Sequence, residues 1–175
     1  RKGLKEAKGD YIIMTEGDGT FNPKDFMRLI VYARDFDIVL GSRTANHSII
    51  EGANMGAFLK WGNWAVAKLI EVLFLTTQLD DVGCTTRLIN RNALRKIEPF
   101  FTVGNSHFGL EMTLLTVISK LPFVTIPLNY YPRIGKSSVT GSFIKTLQLG
   151  FTMIFFCLIS RFRFFKNNKI RNSCN

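Results

Sequence analysis

The feature that most constrains the fold is an alternation of short apolar runs with a helix-type pattern near the start of the chain. Residues 10–15 (DYIIMT) are apolar and bounded by glycines, which predicts a buried parallel strand. Residues 23–32 carry apolar side chains at helical spacing, with Asn22 as a suitable cap and Pro23 as a suitable first residue. Residues 37–41 (DIVLG) predict a second buried strand. A strand, a helix and a strand joined by short loops are typical of an α/β fold.

The rest of the chain continues with helix-type and strand-type patterns. We expect helices over 54–75, 91–97 and 108–120, strands over 83–90 and 123–131, and a polar loop over 44–52. The last strand alternates, so that one face holds the apolar residues Val124, Ile126, Leu128 and Tyr130. Because Pro127 cannot donate a backbone hydrogen bond, this strand lies at an edge of the sheet or contains a bulge.

Charge is distributed unevenly along the chain. The net charge is +10, yet residues 1–111 contain 14 basic and 13 acidic residues, whereas residues 112–175 contain 9 basic residues and no acidic one. The basic region is also rich in Phe, Leu and Ile, which suits an anionic membrane surface better than a nucleic-acid groove. We therefore expect a membrane surface, and no nucleic acid, among the partners.

The end of this basic region contains a long uncharged run. Residues 146–160 lack charge and lie between basic residues. The run is shorter than the roughly 20 apolar residues that span a bilayer. We favour a helix that lies in the membrane interface; a short spanning helix and a helix packed on the domain are the alternatives.

Two carboxylates follow the first predicted strand. Glu16 and Asp18 are separated only by Gly17, just beyond the carboxyl end of the strand, where open α/β sheets bind ligands. Two carboxylates at this spacing can point at one hard cation such as Mg²⁺ or Mn²⁺, which phosphate oxygens and water would complete. The alternative is a solvated acidic turn, because Asp-Gly is common in turns.

Three sequence blocks, in order, resemble glycosyltransferase family 2. They are GDYIIMTEGDGTFNP with the following DIVLGSR, then DVGCTTRLINRNAL, then IPLNYYPRIGKSSV. The resemblance is to the dolichyl-phosphate mannosyltransferase and polyprenyl-phosphate glycosyltransferase group. It implies a GT-A fold, a Rossmann-like sheet that binds a nucleoside diphosphate sugar, with flanking helices. It also implies that the amino-terminal part is missing, that 1–141 is a partial catalytic domain, and that 142–175 is a membrane-associating tail with an amphipathic or membrane helix.

The resemblance implies roles for the residues that match its motifs. Glu16 and Asp18 match an Asp-x-Asp site for the metal and the diphosphate, and Asp18 is the firmer ligand because Glu at the first position has a longer arm. Arg43 matches a position that faces the acceptor phosphate. Asp81 matches an acid near the acceptor. Arg87 would hold either the loop geometry or a phosphate; Thr85 and Thr86 stand where the family often has Gly-Phe.

The remaining candidates are basic or acidic side chains farther along the chain. Arg133 and Lys136 match a basic pair that closes over phosphate, and Gly135 lets their loop approach closely. Glu111 shares the helix face of apolar residues, so it is either paired or at a cavity rim, or is a first-turn Glu stabilised by the helix dipole.

The function that the resemblance implies is transfer of a hexose, with inversion, from a nucleoside diphosphate sugar to a polyprenyl phosphate at the cytoplasmic face of a membrane. A saccharide hydroxyl is the alternative acceptor; it would need a base, for which Asp81 or Glu111 is the candidate. The chain could also be a catalytically silent binding fragment, because the amino-terminal nucleotide-binding part is absent from it. A sugar-nucleotide pyrophosphorylase is disfavoured, since no Gly-rich loop with Arg and Lys is seen near the start.

Overall fold

A computed structural model describes residues 1–44, 49–50, 53, 57–104, 106–135 and 143–166. The described part contains a four-stranded mixed sheet with flanking helices. The strands are β1 (Tyr11–Met14), β2 (Ile38–Ser42), β3 (Arg87–Asn90) and β4 (Phe123–Pro127). The helices are α1 (Lys2–Glu6), α2 (Phe26–Tyr32), α3 (Ala57–Phe74), α4 (Arg91–Ile97), α5 (Phe108–Ile118) and α6 (Phe143–Lys166).

The strand order in the sheet is β1-β3-β2-β4. Strand β3 is antiparallel to both of its neighbours, and β2 is parallel to β4. It follows that β1, β2 and β4 run in one direction and that their carboxyl ends lie at the same edge of the sheet. A mixed sheet covered by helices is consistent with a Rossmann-like fold.

Strand β1 corrects the prediction for residues 10–15. It does not pair with a parallel neighbour: Met14 lies opposite Arg87 and Tyr11 opposite Asn90 of the antiparallel β3. It is also an edge strand, with Tyr11 exposed and Ile12 buried. A short apolar run signals a buried strand but carries no information about which strand forms its neighbour, which explains the error.

Strand β2 separates two hydrophobic layers. Ile38 and Leu40 point into a core shared with α3, α4, α5 and α6, whereas Val39 points into a core shared with α2 and β4. All five β2 residues are buried, as the sequence predicts. The alternation predicted for the last strand is confirmed too, since Ile126, Leu128 and Tyr130 are buried in the second core. Its position at the sheet edge is also confirmed.

The boundaries of several elements differ from the predictions. The predicted helix over 23–32 begins as a 3-10 turn, Pro23–Asp25, and the Asn22 side chain accepts a hydrogen bond from the Lys24 backbone N–H as a cap. The strand predicted over 83–90 is formed only by Arg87–Asn90. Gly83 lies in a turn, where its backbone N–H donates to the Asp81 carboxylate, and residues 84–86 belong to no strand.

Helix α6 lies against α3 and α5. Its residues Met153 and Cys157 are buried in the first hydrophobic core. One face of the helix is therefore packed on the domain, which was one of the three alternatives for residues 146–160. Among the described residues, no helix combines the length and apolar character needed to cross a bilayer. The division of the chain at 141/142 stays a prediction.

Candidate active site

The sheet topology gathers most of the predicted site residues at one edge. Glu16 and Asp18 follow β1, Arg43 follows β2, and Arg133 follows β4. Arg87 is the first residue of the antiparallel β3, whose amino end lies at that same edge. These residues lie together because of strand direction: the carboxyl ends of β1, β2 and β4 and the amino end of β3 are all at this edge of the sheet. We call this region the strand-end edge.

Glu16, Asp18 and Arg133 form the first charged cluster at this edge, which we call the carboxylate pair with its arginine. Arg133 Nη2 lies 2.8 Å from Glu16 Oε2 and 2.8 Å from Asp18 Oδ2. Its contact with Glu16 has hydrogen-bond geometry, whereas Asp18 Oδ2 is buried and has no hydrogen-bond partner within the described ranges. Two carboxylate oxygens thus converge on one cationic nitrogen, and one of them is incompletely satisfied.

A tight turn fixes the position of Asp18. Asp18 Oδ1 accepts hydrogen bonds from the Thr20 backbone N–H at 3.1 Å and from Thr20 Oγ1 at 2.5 Å. Gly19 has φ of +79°, a conformation that favours glycine, and a Cβ there would lie 2.9 Å from the Ile134 side chain. The Asp18 carbonyl accepts the Ile134 backbone N–H, so this turn is tied to the segment that carries Arg133.

The two carboxylates have pKa shifts in opposite directions. Burial and a hydrogen bond with Asp18 raise the pKa of Glu16, against the lowering effect of Thr85 and Arg133. Burial also acts to raise the pKa of Asp18, but the hydrogen bonds from Thr20 and Glu16 outweigh it and the pKa falls. Of the two, Asp18 is therefore the carboxylate that stays ionised more readily. That it is the firmer metal ligand stays a prediction.

Two threonines support this cluster and were missed as site residues. Thr85 Oγ1 donates to Glu16 Oε1 at 3.0 Å, and Thr86 Oγ1 lies 2.8 Å from Thr15 Oγ1. The sequence showed Thr85 and Thr86 only as a departure from the family pattern. Thr20 was missed as well, although Asp-Gly-Thr is a recognisable signal for a turn in which the Asp side chain binds the backbone two residues on.

Arg43 and Asp81 form a second charged cluster, which we call the buried ion pair. Arg43 Nε donates to Asp81 Oδ2 at 2.8 Å and Arg43 Nη2 donates to Asp81 Oδ1 at 3.0 Å, a bidentate arrangement. The backbone N–H groups of Arg43 and Gly83 also donate to this carboxylate. Asp81 therefore accepts four hydrogen bonds, which is the full capacity of a carboxylate.

The buried ion pair fixes the charge of both partners. Burial alone would raise the pKa of Asp81, but the charge of Arg43 and the hydrogen bonds that Arg43 and Gly83 donate lower it below its usual range. Burial likewise acts to lower the pKa of Arg43, and the Asp81 charge outweighs it and raises that pKa. The side chain of Asp81 has no exposed area, whereas 13% of the Arg43 side chain is exposed.

Close packing surrounds the Arg43 guanidinium. Its central carbon lies 5.3 Å from the centre of the Tyr130 ring, a cation–π contact that the sequence did not predict. A Cβ at Gly83 would collide with the ends of the Arg43 and Asn63 side chains, so a larger residue there would require both side chains to shift. The Tyr in the last sequence block is the signal that could have marked Tyr130.

Arg87 is a buried structural contact rather than an open phosphate ligand in this arrangement. It is 1% exposed, and it donates to the Gly109 carbonyl at 2.8 Å, to Thr113 Oγ1 at 3.2 Å and to the Cys84 carbonyl. Burial lowers its pKa. Of its two predicted roles, the contacts match the one that holds the loop geometry.

Glu111 and Lys136 complete the predicted set. Glu111 is buried in the first turn of α5, and its Oε1 accepts the Thr102 backbone N–H, Thr102 Oγ1 and the Val103 backbone N–H. These hydrogen bonds anchor the loop that follows α4. Glu111 is thus paired by hydrogen bonds, as one of the alternatives for a carboxylate on an apolar helix face required. Lys136 lies outside the described residues.

The carboxylate pair can be tested as a place for a divalent ion. No group of three or more His, Cys, Asp and Glu side chains that could hold a metal occurs in the described part of the chain. Glu16 and Asp18 supply two oxygen ligands, and the incompletely satisfied Asp18 Oδ2 faces the position that Arg133 Nη2 occupies. Mg²⁺ in proteins is commonly held by one or two carboxylates plus substrate phosphates and water, so the donor set fits such an ion.

The fold and the site together define the class of protein: an α/β protein with acidic and basic side chains at the strand-end edge of its sheet.

No family model matches the chain. It is 25% identical over 138 residues to the low-salt glycan biosynthesis hexosyltransferase Agl6 of Haloferax volcanii, covering 78% of the chain and 32% of that protein. It is 25% identical over 146 residues to the undecaprenyl-phosphate mannosyltransferase of Micrococcus luteus, covering 82% of the chain and 58% of that protein.

The two relatives define the class more narrowly. Both are hexosyltransferases by name, so the chain is distantly similar to glycosyltransferases. The chain spans about a third of the length of the first relative and somewhat more than half of the second.

Proposed function

We propose that the chain is part of a glycosyltransferase, of the family 2 type with a GT-A fold, that transfers a hexose from a nucleoside diphosphate sugar to a polyprenyl phosphate. The observation that carries the proposal is the convergence of Glu16 Oε2 and Asp18 Oδ2 on one cationic nitrogen, 2.8 Å from each, at the strand-end edge. The similarity to two hexosyltransferases, one of them an undecaprenyl-phosphate mannosyltransferase, supports this reaction.

Glu16 and Asp18 are the residues that would hold Mg²⁺ or Mn²⁺. A divalent ion bound there supplies a positive charge that stabilises the diphosphate as it leaves the sugar. Burial is the main cause of the raised pKa of Glu16. Asp18, held by Thr20, keeps the lower pKa and is the ligand on which binding depends most.

Arg133 changes partners in this mechanism. In the structure its guanidinium contacts both carboxylates and offsets part of the repulsion between their neighbouring charges. In the proposed mechanism Arg133 would leave the carboxylates, and its planar fork would bind diphosphate oxygens of the donor. The segment that carries Arg133 is positioned for this exchange, because Ile134 is bonded to the Asp18 turn and Gly135 has φ of +97°.

Arg43 is the residue we assign to the acceptor phosphate. It retains exposed side-chain area at the strand-end edge, whereas Asp81 has none. We assign Asp81 a positioning role. Its carboxylate holds the Arg43 guanidinium in place, and its four hydrogen bonds leave no oxygen lone pair free to accept a proton from the acceptor. Tyr130 supports the other side of Arg43.

This arrangement favours a phosphate over a saccharide hydroxyl as the acceptor. A hydroxyl needs a general base, and the two candidate bases are engaged elsewhere. Asp81 is saturated by Arg43 and Gly83, and Glu111 is bonded to Thr102 and Val103. A phosphate oxygen is already anionic, so metal, Arg43 and Arg133 would supply what its attack on the anomeric carbon requires.

A donor screen tests the proposal. The natural full-length protein carrying this chain would be incubated with radiolabelled nucleoside diphosphate hexoses, Mn²⁺ or Mg²⁺, and undecaprenyl phosphate, and label would be counted in the lipid and aqueous fractions. We expect label in the lipid fraction, a loss of at least about a hundredfold for Asp18→Asn, and near-normal transfer for Asp80→Asn. Asp80 is a matched control, since its carboxylate contacts Gln78 rather than the site.

Three outcomes would reject the proposal or part of it. Transfer that persists in chelator and in Asp18→Asn removes the metal role. Label that appears only on a soluble saccharide replaces the acceptor. Absence of transfer with every donor, in a protein that binds none of them, supports the silent binding fragment instead.

A further inference from the structure

A cavity lies at the end of the sheet opposite the strand-end edge, and we call it the distal cavity. It has a volume of about 530 Å³, a size typical of sites for small molecules. Phe123, the first residue of β4, lines it, and the carbonyl of the neighbouring Pro122 accepts the backbone N–H groups of Asp37 and Ile38 where β2 begins. Because β2 and β4 are each five residues long, roughly 15 Å of strand separates this cavity from the site described above.

Aromatic residues form much of the wall of the distal cavity. Phe36, Phe74 and Phe123 line it, and each is only half-buried by the fold. Thr76 and Thr77 add two hydroxyl groups. Since aromatic rings pack best against other rings in offset or edge-to-face arrangements, this wall suits a ligand with a flat apolar body.

The charged residues of the distal cavity are basic. Lys120 and Arg161 line it, and no acidic residue does so in the described part of the chain. The central carbon of the Arg161 guanidinium lies 5.5 Å from the centre of the Phe74 ring, which places a cation directly beside the aromatic wall. Two cations beside apolar groups attract an anion, because the apolar groups displace the water that would screen the charges.

Helix capping does not account for the basic residues at this cavity. Helices α3 and α5 both end there, and Lys or Arg side chains often bond the last carbonyls of a helix. Here the backbone makes those bonds. The Thr76 N–H donates to the Glu71 carbonyl, and the Leu121 N–H donates to the Thr116 carbonyl.

The turn residue that follows each of these helices has an unfavourable conformation. Leu75 has φ of +50° and Lys120 has φ of +51°, and no other residue except glycine has a positive φ within the described ranges. Glycine is the usual residue at such a helix end, because a Cβ is strained there. Both residues line the distal cavity, so glycine would relieve the strain but would also remove a side chain from the cavity. Strained residues of this kind cluster at ligand sites.

We propose that the distal cavity binds a small, water-soluble anion with an aromatic body. Lys120 and Arg161 hold the anionic group, and the aromatic body packs against Phe36, Phe74 and Phe123. This site is separate from the strand-end edge, and binding at it does not depend on glycosyl transfer.

Isothermal titration calorimetry of the full chain with three probes tests the proposal. The probes are 2-naphthoate, the uncharged naphthalene-2-methanol, and acetate, which carries the charge without the rings. We expect saturable binding of 2-naphthoate, at least about tenfold weaker binding of the alcohol, and no detectable binding of acetate at the same concentrations. Lys120→Gln and Arg161→Gln should each weaken 2-naphthoate binding by about tenfold.

Lys120→Gly separates a ligand-binding role from a structural one. It relieves the positive φ, so the melting temperature should be no lower than that of the wild type, whereas 2-naphthoate binding should weaken about tenfold. Leu75→Gly is the matched control, because it relieves the same strain without removing a charge. Leu75 is 88% exposed, so this variant should bind 2-naphthoate within about threefold of the wild type.

Arg95→Gln is the control for net charge. Arg95 is an exposed residue of α4 and does not line the distal cavity, so 2-naphthoate binding should equal that of the wild type. An equal loss of binding in Arg95→Gln and Lys120→Gln would show a general effect of charge and would overturn the proposal.

Three further results would overturn it. Equal affinity for 2-naphthoate and naphthalene-2-methanol, or no saturable binding of 2-naphthoate, would show that no anion site is formed. Binding that Lys120→Gln, Arg161→Gln and Lys120→Gly leave unchanged would place the ligand elsewhere. A lowered melting temperature together with lost binding in Lys120→Gly would assign Lys120 to the fold rather than to a ligand.

Discussion

The two charged clusters at the strand-end edge have similar residues and opposite properties. In the buried ion pair, Asp81 accepts four hydrogen bonds and its side chain has no exposed area. In the carboxylate pair with its arginine, Asp18 Oδ2 has no hydrogen bond within the described ranges, and all three side chains are partly exposed. The first cluster has every carboxylate oxygen satisfied, whereas the second keeps an oxygen without a hydrogen bond, at which our proposal places a divalent ion.

Replacing Asp81 by Ala gives the largest expected effect. It leaves the Arg43 charge buried without its partner, which should lower the free energy of unfolding by about 3–5 kcal/mol. Urea denaturation followed by circular dichroism measures this loss. Asp80→Asn should change the value by less than about 0.5 kcal/mol. A loss below about 1 kcal/mol for Asp81→Ala would mean that the pair is not the fixed cluster we describe.

Acid should remove the stabilisation from the buried ion pair. The pKa of Asp81 is below its unfolded value of 3.8 because the Arg43 charge and hydrogen bonds outweigh the effect of burial. The unfolded chain therefore takes up this proton first as pH falls. The contribution to stability is fully present above the unfolded pKa and is lost as pH falls through the lower folded pKa. The stability difference between the wild type and Asp81→Asn should stay constant near neutral pH and shrink below about pH 4; a difference that grows in acid contradicts the sign.

Gly19→Ala tests the turn that positions Asp18. Alanine must adopt φ near +79° and meets the Ile134 side chain, so the free energy of unfolding should fall by about 1–2 kcal/mol. Gly17→Ala is a close control, because a Cβ there meets nothing within 4 Å and Gly17 has no positive φ. Calorimetric unfolding compares the two. Equal stabilities for both variants would show that the turn is not held in this conformation.

Thr85→Val gives the smallest expected effect on stability. It removes the hydroxyl that donates to Glu16 Oε1 and should cost about 0.5–1.5 kcal/mol. A double-mutant cycle with Glu16→Gln isolates the contact from other consequences of each change. Strict additivity of the two changes would show that Thr85 does not restrain Glu16.

Local sequence patterns were sufficient for part of this structure. The Asn22 cap, the buried β2 and the apolar face of β4 all follow from side chains within a few residues of one another. The rule for strand ends placed Glu16 and Asp18 beyond the carboxyl end of β1, whereas Arg43 and Arg133 were candidates only through the family resemblance.

Long-range pairing decided what the sequence did not show. The insertion of β3 between β1 and β2 makes β1 an antiparallel edge strand, and no local pattern encodes that order. Asp81 and Arg43 are 38 residues apart, so two separate candidates were in fact one ion pair. The partners of Glu111 are backbone groups of a loop, which carry no residue-specific signal.

The most direct test of the exchangeable cation site is Mn²⁺ binding followed by electron paramagnetic resonance, in the absence of any donor. If Glu16 and Asp18 form a cation site that Arg133 occupies, the wild type binds Mn²⁺ weakly. Asp18→Asn then loses that binding, and Arg133→Gln binds Mn²⁺ several-fold more tightly because the competing guanidinium is gone. Equal binding by the wild type, Asp18→Asn and Arg133→Gln would contradict the account.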